Sequence, residues 1–481
     1  MTETLTLAID QGTHATRALV FDGHGRVLAH ARKPVSLQVH SRTEIEQSPV
    51  EILDSLQAVV KEILQQPGID AARIGSAGLA TQRSSVLAWD RVTGRALSPV
   101  LSWQDTRSAA NLEALGRHEA AIRERTGLRL SPHYGAGKLH WLLRHEAEVI
   151  AARERGVLTI GPLAAFLLHH LSETSGDVID HANASRTLLW NLESRDWDPW
   201  LLGLFDIPRE ILPECRPIVA DYGLTRIGRI PLTAVNGDQT AALYATGMPA
   251  QDTLVVNVGS GAFVLLPTGD NRRSHPGLLG GLSRSDGRTA DYYLEGTVNG
   301  AASALERVAS QYCITDWLAQ LPGWLDQVEA PPVFLNSIGG LGSPWWQPGP
   351  DPVFLPHGNG AHIEPAQAMV AAIESIVFLI QANVERLREW IPGMRGIRIS
   401  GGLAQLDGLC RKLANLSALT VERSRVVEST ARGIAWLSAG CPDSWEPAGV
   451  EHRFFPQDDP QLADRYARFR VALESALRQE T

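Results

Sequence analysis

Cysteine is scarce and scattered in this chain: four in 481 residues, Cys215, Cys313, Cys410 and Cys441, with no Cys-x-x-Cys spacing. That excludes a disulfide framework and gives no sign of a zinc site, so the four read as buried thiols in a reducing compartment. Also missing is any block of lysine and arginine. With a net charge of -9 and a sequence pI of about 5.9, no basic stripe is available for nucleic-acid phosphates, and a small-molecule partner is expected instead. No run of about 18 apolar residues occurs, and Met1-Thr2-Glu3-Thr4 leads straight into a strand with no basic, apolar leader before it. The expectation is a cytoplasmic protein with neither nucleic-acid nor membrane partners. At 481 residues the chain is too long for one core and suggests two large domains.

What is present centres on Val235-Asn236-Gly237-Asp238-Gln239-Thr240, where an apolar run ends in glycine and a carboxylate opens a helical stretch. Asp238 either caps that helix or, held by backbone donors where a ligand can approach, serves as a general base. Near the start, Leu5–Ile9 and Arg17–Phe21 read as strands joined by the turn Asp10-Gln11-Gly12-Thr13. Gly12 lets amides converge, Thr13 and Thr16 add hydroxyls, and Arg17 adds charge, together a phosphate cradle. Asp10 only accepts hydrogen bonds, so beside a phosphate it implies a bridging divalent cation. Read without that company, the segment is simply a hairpin.

The same pattern recurs at Thr253–Asn257, Gly259-Ser260-Gly261 and Ala262–Leu266, and implies a duplicated domain with two phosphate-facing turns. Between the two units, residues 48–65 carry helical spacing with Ser48, Pro49 and Glu51 as start signals. Ile74–Ala80 is a buried strand or turn. Arg83 and Trp103 suit a polyhydroxyl ligand, as fork-like donor and aromatic wall, and equally suit surface pairing and core packing. In the second half Leu294-Glu295-Gly296-Thr297 is read as leading into a helix, residues 364–390 as a long amphipathic helix, and Gly396–Gly402 as a strand ending in two glycines open to a flat ligand.

Six segments in order resemble the motifs of the FGGY carbohydrate kinases: Ala8–Thr13, Gln82-Arg83, Asn183–Thr187, Gly237-Asp238-Gln239, Gly340–Pro344 and Ser400-Gly401-Gly402. Within that family, Asp-Gln-Gly-Thr with Gly-Asp-Gln is most similar to glycerol kinases. The resemblance spans about residues 5 to 440. It implies an α/β fold of two actin/ribonuclease H-like domains around an active-site cleft, with residues 1–240 carrying the sugar site and base and 241–481 the ATP site. Position by position, it implies Asp238 as base and Asp10 as holder of Mg2+. Gly12, Thr13, Arg17, Gly259, Ser260 and Gly261 would meet ATP phosphates, and Gly401 and Gly402 would flank adenosine. Arg83, Ser84, Trp103, His133 and Gln239 would line the acceptor pocket beside Asp238. Phosphoryl transfer needs little more than such positioning and charge neutralisation.

The chain departs from the glycerol-kinase pattern at Ser84, where glutamate is usual, and at His133, where tyrosine is usual. His14 replaces a hydroxyl residue, Ser400 an aspartate, and Leu406-Asp407 stands where an adenine-contacting asparagine is expected. The pentulose kinases' Gln-Met-His-Gly is also absent. Shortening the side chain at position 84 leaves room and unmet hydrogen-bonding capacity, which favours a xylulose-like ketopentose or pentitol over glycerol. An actin-fold ATPase or sensor is the alternative from another class, one that needs no acceptor-lining Arg83 and Trp103. A homodimer or a homotetramer is open.

Overall fold

The computed structural model describes residues 4–173, 176–355, 362–426, 428–446 and 449–479. The chain opens with strands β1 (Leu5–Gln11), β2 (Ala15–Phe21) and β3 (Val27–Pro34), an antiparallel meander. Helix α1 (Pro49–Leu64) then starts where Ser48 accepts from the Glu51 amide. It buries Ile52, Leu56, Val59, Val60 and Ile63, the stripe that its spacing predicts. Strand β4 (Ile74–Thr81) returns parallel to β1. After α2 (Gly135–His145), strand β5 (Leu232–Gly237) pairs parallel with β4 and runs directly into α3 (Asp238–Ala242). The sheet order is β5-β4-β1-β2-β3.

The second half repeats this plan. Strands β6 (Thr253–Val258), β7 (Ala262–Gly269), β8 (Leu279–Ser285) and β9 (Ala290–Val298) are followed by α4 (Pro365–Arg388), β10 (Gly396–Ser400) and α5 (Asp407–Ser417). Then come β11 (Thr420–Ser424), α6 (Ser429–Ser438), β12 (Val450–Phe454) and α7 (Pro460–Gln479). The sheet runs β8-β9-β7-β6-β10-β11-β12. Here β6 is antiparallel to β7 and parallel to β10, as β1 is to β2 and β4, so the repeat seen in the turns extends to the topology. The fold is the two-domain α/β arrangement expected.

By length and composition α4 could cross a membrane, but 94% of that stretch is buried inside the protein. Its Glu374 receives Arg465 of α7 at 2.6 and 2.8 Å and Lys412 of α5 at 2.8 Å, which fits a core helix with a satisfied charge.

Three expectations change. Leu294–Thr297 does not lead directly into a helix but lies within β9, and the helix begins at Ala302. Of the cysteines only Cys410 is buried; Cys215 and Cys441 are half-buried and Cys313 is exposed, since Cys313 lies just past the helix ending at Gln311, with φ 53°. Thr16 turns inward, its hydroxyl 2.6 Å from that of Ser55 on α1, because alternate residues of β2 face opposite sides of the sheet.

One apolar core takes most of its residues from the first half but also includes Leu279, Leu282 and Tyr293, and Ile434, Ala435 and Leu437 of α6. The other is built around α4.

Candidate active site

The β5–α3 junction places Asp238 at the first turn of a helix, with Gly237 rather than Asp238 at the cap position. Its Oδ1 accepts from the Gln239 amide at 2.7 Å, and the Arg83 Nε lies 3.7 Å away. About a third of the side chain faces the cleft. Burial raises the pKa of this carboxyl above the ordinary range, against the opposing pull of Arg83. Gly237 is needed here: a Cβ at that position would sit 2.5 Å from Cγ and Cδ of Arg83.

Arg83, just beyond β4, is buried and fully engaged. It donates to the Tyr293 hydroxyl at 2.9 Å, to Gln239 Oε1, and weakly to Glu295 at 3.4 Å. Glu295 has no exposed surface and also receives Arg186 at 3.3 Å. Neighbouring Ser84 has a φ of 66° and turns its hydroxyl onto the Arg186 carbonyl at 3.3 Å.

The wall beside them is tied together by polar contacts. The Trp103 indole donates to Thr13 Oγ1 at 3.0 Å, and His133 Nδ1 lies 3.2 Å from the Trp103 carbonyl. His133 is exposed, though desolvation holds its imidazole below its ordinary pKa, with the Trp103 contact acting the other way. Beneath this wall Lys138 of α2 has no exposed surface and donates to the carbonyls of Ser84, Ser102 and His133 at 2.8, 2.8 and 2.9 Å. One buried ammonium thus joins three segments carrying Ser84, Trp103 and His133. Desolvation pulls its pKa down to about 7. The three carbonyl dipoles around it favour the charged form.

Asp10, at the end of β1, is 5% exposed with Arg17 Nη1 3.5 Å away. Desolvation raises its pKa to about 7, partly offset by Arg17. Arg17 itself bridges Asp10 and Glu428. In the two glycine turns, Gly12 N–H donates to the Ala15 carbonyl and Gly259 N–H to that of Gly261. These two amides close their turns instead of pointing outward, and the Thr13 hydroxyl is held between the Trp103 indole and, at 3.4 Å, Gln82 Oε1.

Across the cleft, Gly401 has φ 98° and a Cβ there would lie 2.4 Å from the Val258 carbonyl, so β6 and β10 can end side by side only with glycine. Gly402 meets nothing within 4 Å. Ser400 accepts from Asn257 at 3.2 Å, while Leu406 is buried and Asp407 pairs with Arg423 at 2.8 Å. A cavity of about 230 Å³ is lined by Asp238 and Gln239 together with Asn257, Ser400, Ser429 and Thr430 among others.

The fold therefore brings Arg83, Ser84, Asp238 and Gln239 into one group and joins Trp103, His133 and Thr13 in a second. It sets Gly259–Gly261 and Gly401–Gly402 on the other half. Lys138, Tyr293 and Glu295 were missed from sequence. The available signal was a lone charge in each of two otherwise apolar or small-residue stretches, Gly135–Leu139 and Tyr292–Val298.

Two family models match: the N-terminal domain of the FGGY family of carbohydrate kinases over residues 5–244, and its C-terminal domain over 254–440. A glycerol kinase from Cereibacter sphaeroides is 34% identical over 493 aligned positions, covering 98% of this chain and 99% of the relative. One from a Geobacter species is 32% identical, with 96% of each covered. Among solved structures, Plasmodium falciparum glycerol kinase with ADP superposes with a TM-score of 0.89 at 22% identity, covering 99% of this chain and 98% of the other. A xylulose kinase from Brucella ovis gives 0.86 at 20%, covering 99% and 100%.

Proposed function

The chain belongs to the FGGY family of carbohydrate kinases, phosphotransferases with an alcohol acceptor, and from that premise we propose that it moves the γ-phosphate of ATP to a terminal hydroxyl of glycerol. The observation that carries this reading is the contact group of Asp238, Arg83 and Gln239 beside the cleft. A module that only bound or hydrolysed nucleotide would have no use for it. For the acceptor, full-length relatives named glycerol kinase, such as those above, weigh more than the preference for a five-carbon ligand drawn from Ser84.

In this reading the ionised Asp238 takes the proton of the attacking hydroxyl, a role that its raised pKa suits. Arg83 and Gln239 orient the acceptor, with the Trp103 indole as a wall. Thr13, Ser260 and the amides next to the turn glycines hold the phosphates, and Arg17 neutralises charge. Mg2+, held by Asp10, would supply positive charge to offset that of the phosphates. Asp10 fits it: a buried carboxylate whose arginine partner, Arg17 at 3.5 Å, is shared with Glu428 is short of positive charge. Gly401, Gly402 and Ser400 would flank the adenosine.

A longer acceptor is the second reading, favoured by Ser84, whose short side chain turns away to the Arg186 carbonyl. The test is kcat/KM for glycerol, xylulose, ribulose and xylitol measured side by side by coupled ADP release. Glycerol should lead by about tenfold, a difference worth roughly 1.4 kcal/mol. A pentulose or pentitol above glycerol would transfer the assignment to the second reading, and no rate above ATP hydrolysis with any of them would overturn the kinase assignment for these acceptors.

A further inference from the structure

Strand β9 belongs to the second half of the chain, yet two of its side chains hold an arginine of the first. Tyr293 and Glu295 are two residues apart and so project from one face of the strand. The Tyr293 hydroxyl accepts from Arg83 Nη1 at 2.9 Å, while Glu295 Oε2 lies 3.4 Å from Nη2. The other carboxylate oxygen, Oε1, meets Arg186 Nη2 at 3.3 Å. Glu295 is wholly buried, where an ionised carboxylate persists only if paired. Among the described residues Nε and Nη1 of Arg186 have no hydrogen-bond partner, and its guanidinium lies over the Tyr134 ring at 5.2 Å.

The groups facing Arg83 are thus Tyr293, Glu295, Gln239 and Asp238. Two of them are carboxylates, Asp238 near Nε and Glu295 near Nη2. Asp238 is already within 3.7 Å, and a guanidinium freed to choose would close on it with two parallel hydrogen bonds, the preferred arrangement of such pairs. That closure would occupy both the proton acceptor and the acceptor-binding donors at once.

We infer that Glu295 is a positioning residue: from the nucleotide-side half it holds Arg83 off Asp238, keeping the carboxylate free for the hydroxyl proton and the guanidinium fixed beside the acceptor site. The inference rests on the reading of Arg83 and Asp238 given above. It also makes the acceptor site dependent on how the two halves sit together, because Arg83 is aimed by a strand of the other sheet.

The test is Glu295→Gln, which keeps the shape and removes the charge. Its crystal structure without acceptor should show Arg83 within hydrogen-bonding distance of Asp238, and the KM for the acceptor should rise at least tenfold while that for ATP stays within twofold. Arg83→Lys combined with Glu295→Gln should lose no more activity than Arg83→Lys alone. A structural ion pair would instead lower the unfolding temperature and leave KM alone. Should Glu295→Gln not fold, Glu295→Asp, which retains the charge on a shorter stem, should show a smaller but clear rise in KM. An unmoved Arg83 with acceptor KM within twofold of wild type, or a wild-type KM in Glu295→Asp, overturns the inference. If the wild type phosphorylates no polyol, the function assigned above fails, while the crystal structure still decides whether Glu295 holds Arg83.

Discussion

Replacing Gly237 by alanine tests the site through a single methyl group. The backbone there is extended, with φ -75° and ψ 152°, so alanine brings no conformational strain. Its Cβ, however, would lie 2.5 Å from both Cγ and Cδ of Arg83, and 3.1 Å from Thr240 Oγ1. Carbon atoms in contact rest at about 3.5–4.0 Å, so the arginine stem must retreat by roughly 1 Å. The β5 backbone cannot easily give way instead, because Gly237 is in register with Thr81 in the ladder between β5 and β4. Nor can the guanidinium pivot freely, held as it is by Tyr293, Gln239 and Glu295. A displacement of about 1 Å in a substrate-positioning group costs up to about 10²-fold in rate, or roughly 2.7 kcal/mol. Steady-state kinetics with varied acceptor should therefore show kcat/KM reduced by about 10- to 100-fold, with the KM for ATP within twofold. A kcat/KM within threefold of wild type would refute the reasoning, since Arg83 would then either move without consequence or not bind the acceptor.

Other expectations follow from the same geometry. Asp238→Asn keeps the size and removes the proton acceptor, so kcat should fall by roughly 10² to 10⁴ while titration calorimetry still detects ATP. Because burial raises the Asp238 pKa and the base works only when ionised, kcat/KM should decline as pH falls through a value above the ordinary carboxylate range of about 4; a limb at or below 4 would contradict the buried environment. Ser84→Glu should raise glycerol kcat/KM relative to xylitol, by filling space beside Arg83, and an unchanged ratio would show that position 84 does not set acceptor size. Lys138→Met leaves three carbonyls without their donor, so denaturant unfolding should reveal a loss of roughly 3 kcal/mol, and a neutral result would mean that water replaces the ammonium.

Much of this arrangement was readable in the residues. The hairpins at Gly12 and at Gly259-Ser260-Gly261 stand out because β-rich runs flank small turn residues, and α1 carries its own cap and stripe. What the order of residues conceals is which strand a side chain faces across the sheet. Thr16 looks like a cradle hydroxyl until α1 brings Ser55 onto it. Glu295 looks like the approach to a helix because Gly296 follows it, whereas pairing with β7 and β8 keeps it in a strand. Its partners, Arg83 and Arg186, lie more than a hundred residues upstream, and no local pattern connects them.

Helix α6 is encoded near the end of the chain but lies against the opening sheet. Ile434 sits so close over β4 that a Cβ on Gly78 would be 2.7 Å from it, and a Cβ on Gly433 would be 1.8 Å from the Ala241 carbonyl of α3. Trp445 stacks on Phe21 with ring centroids 5.5 Å apart. During synthesis, then, the first sheet emerges with one face uncovered and waits for some two hundred further residues before its last helix arrives. A nascent chain halted near residue 250 would leave that apolar face in water, and the helix start bearing Asp238 would acquire its final support only when α6 docks.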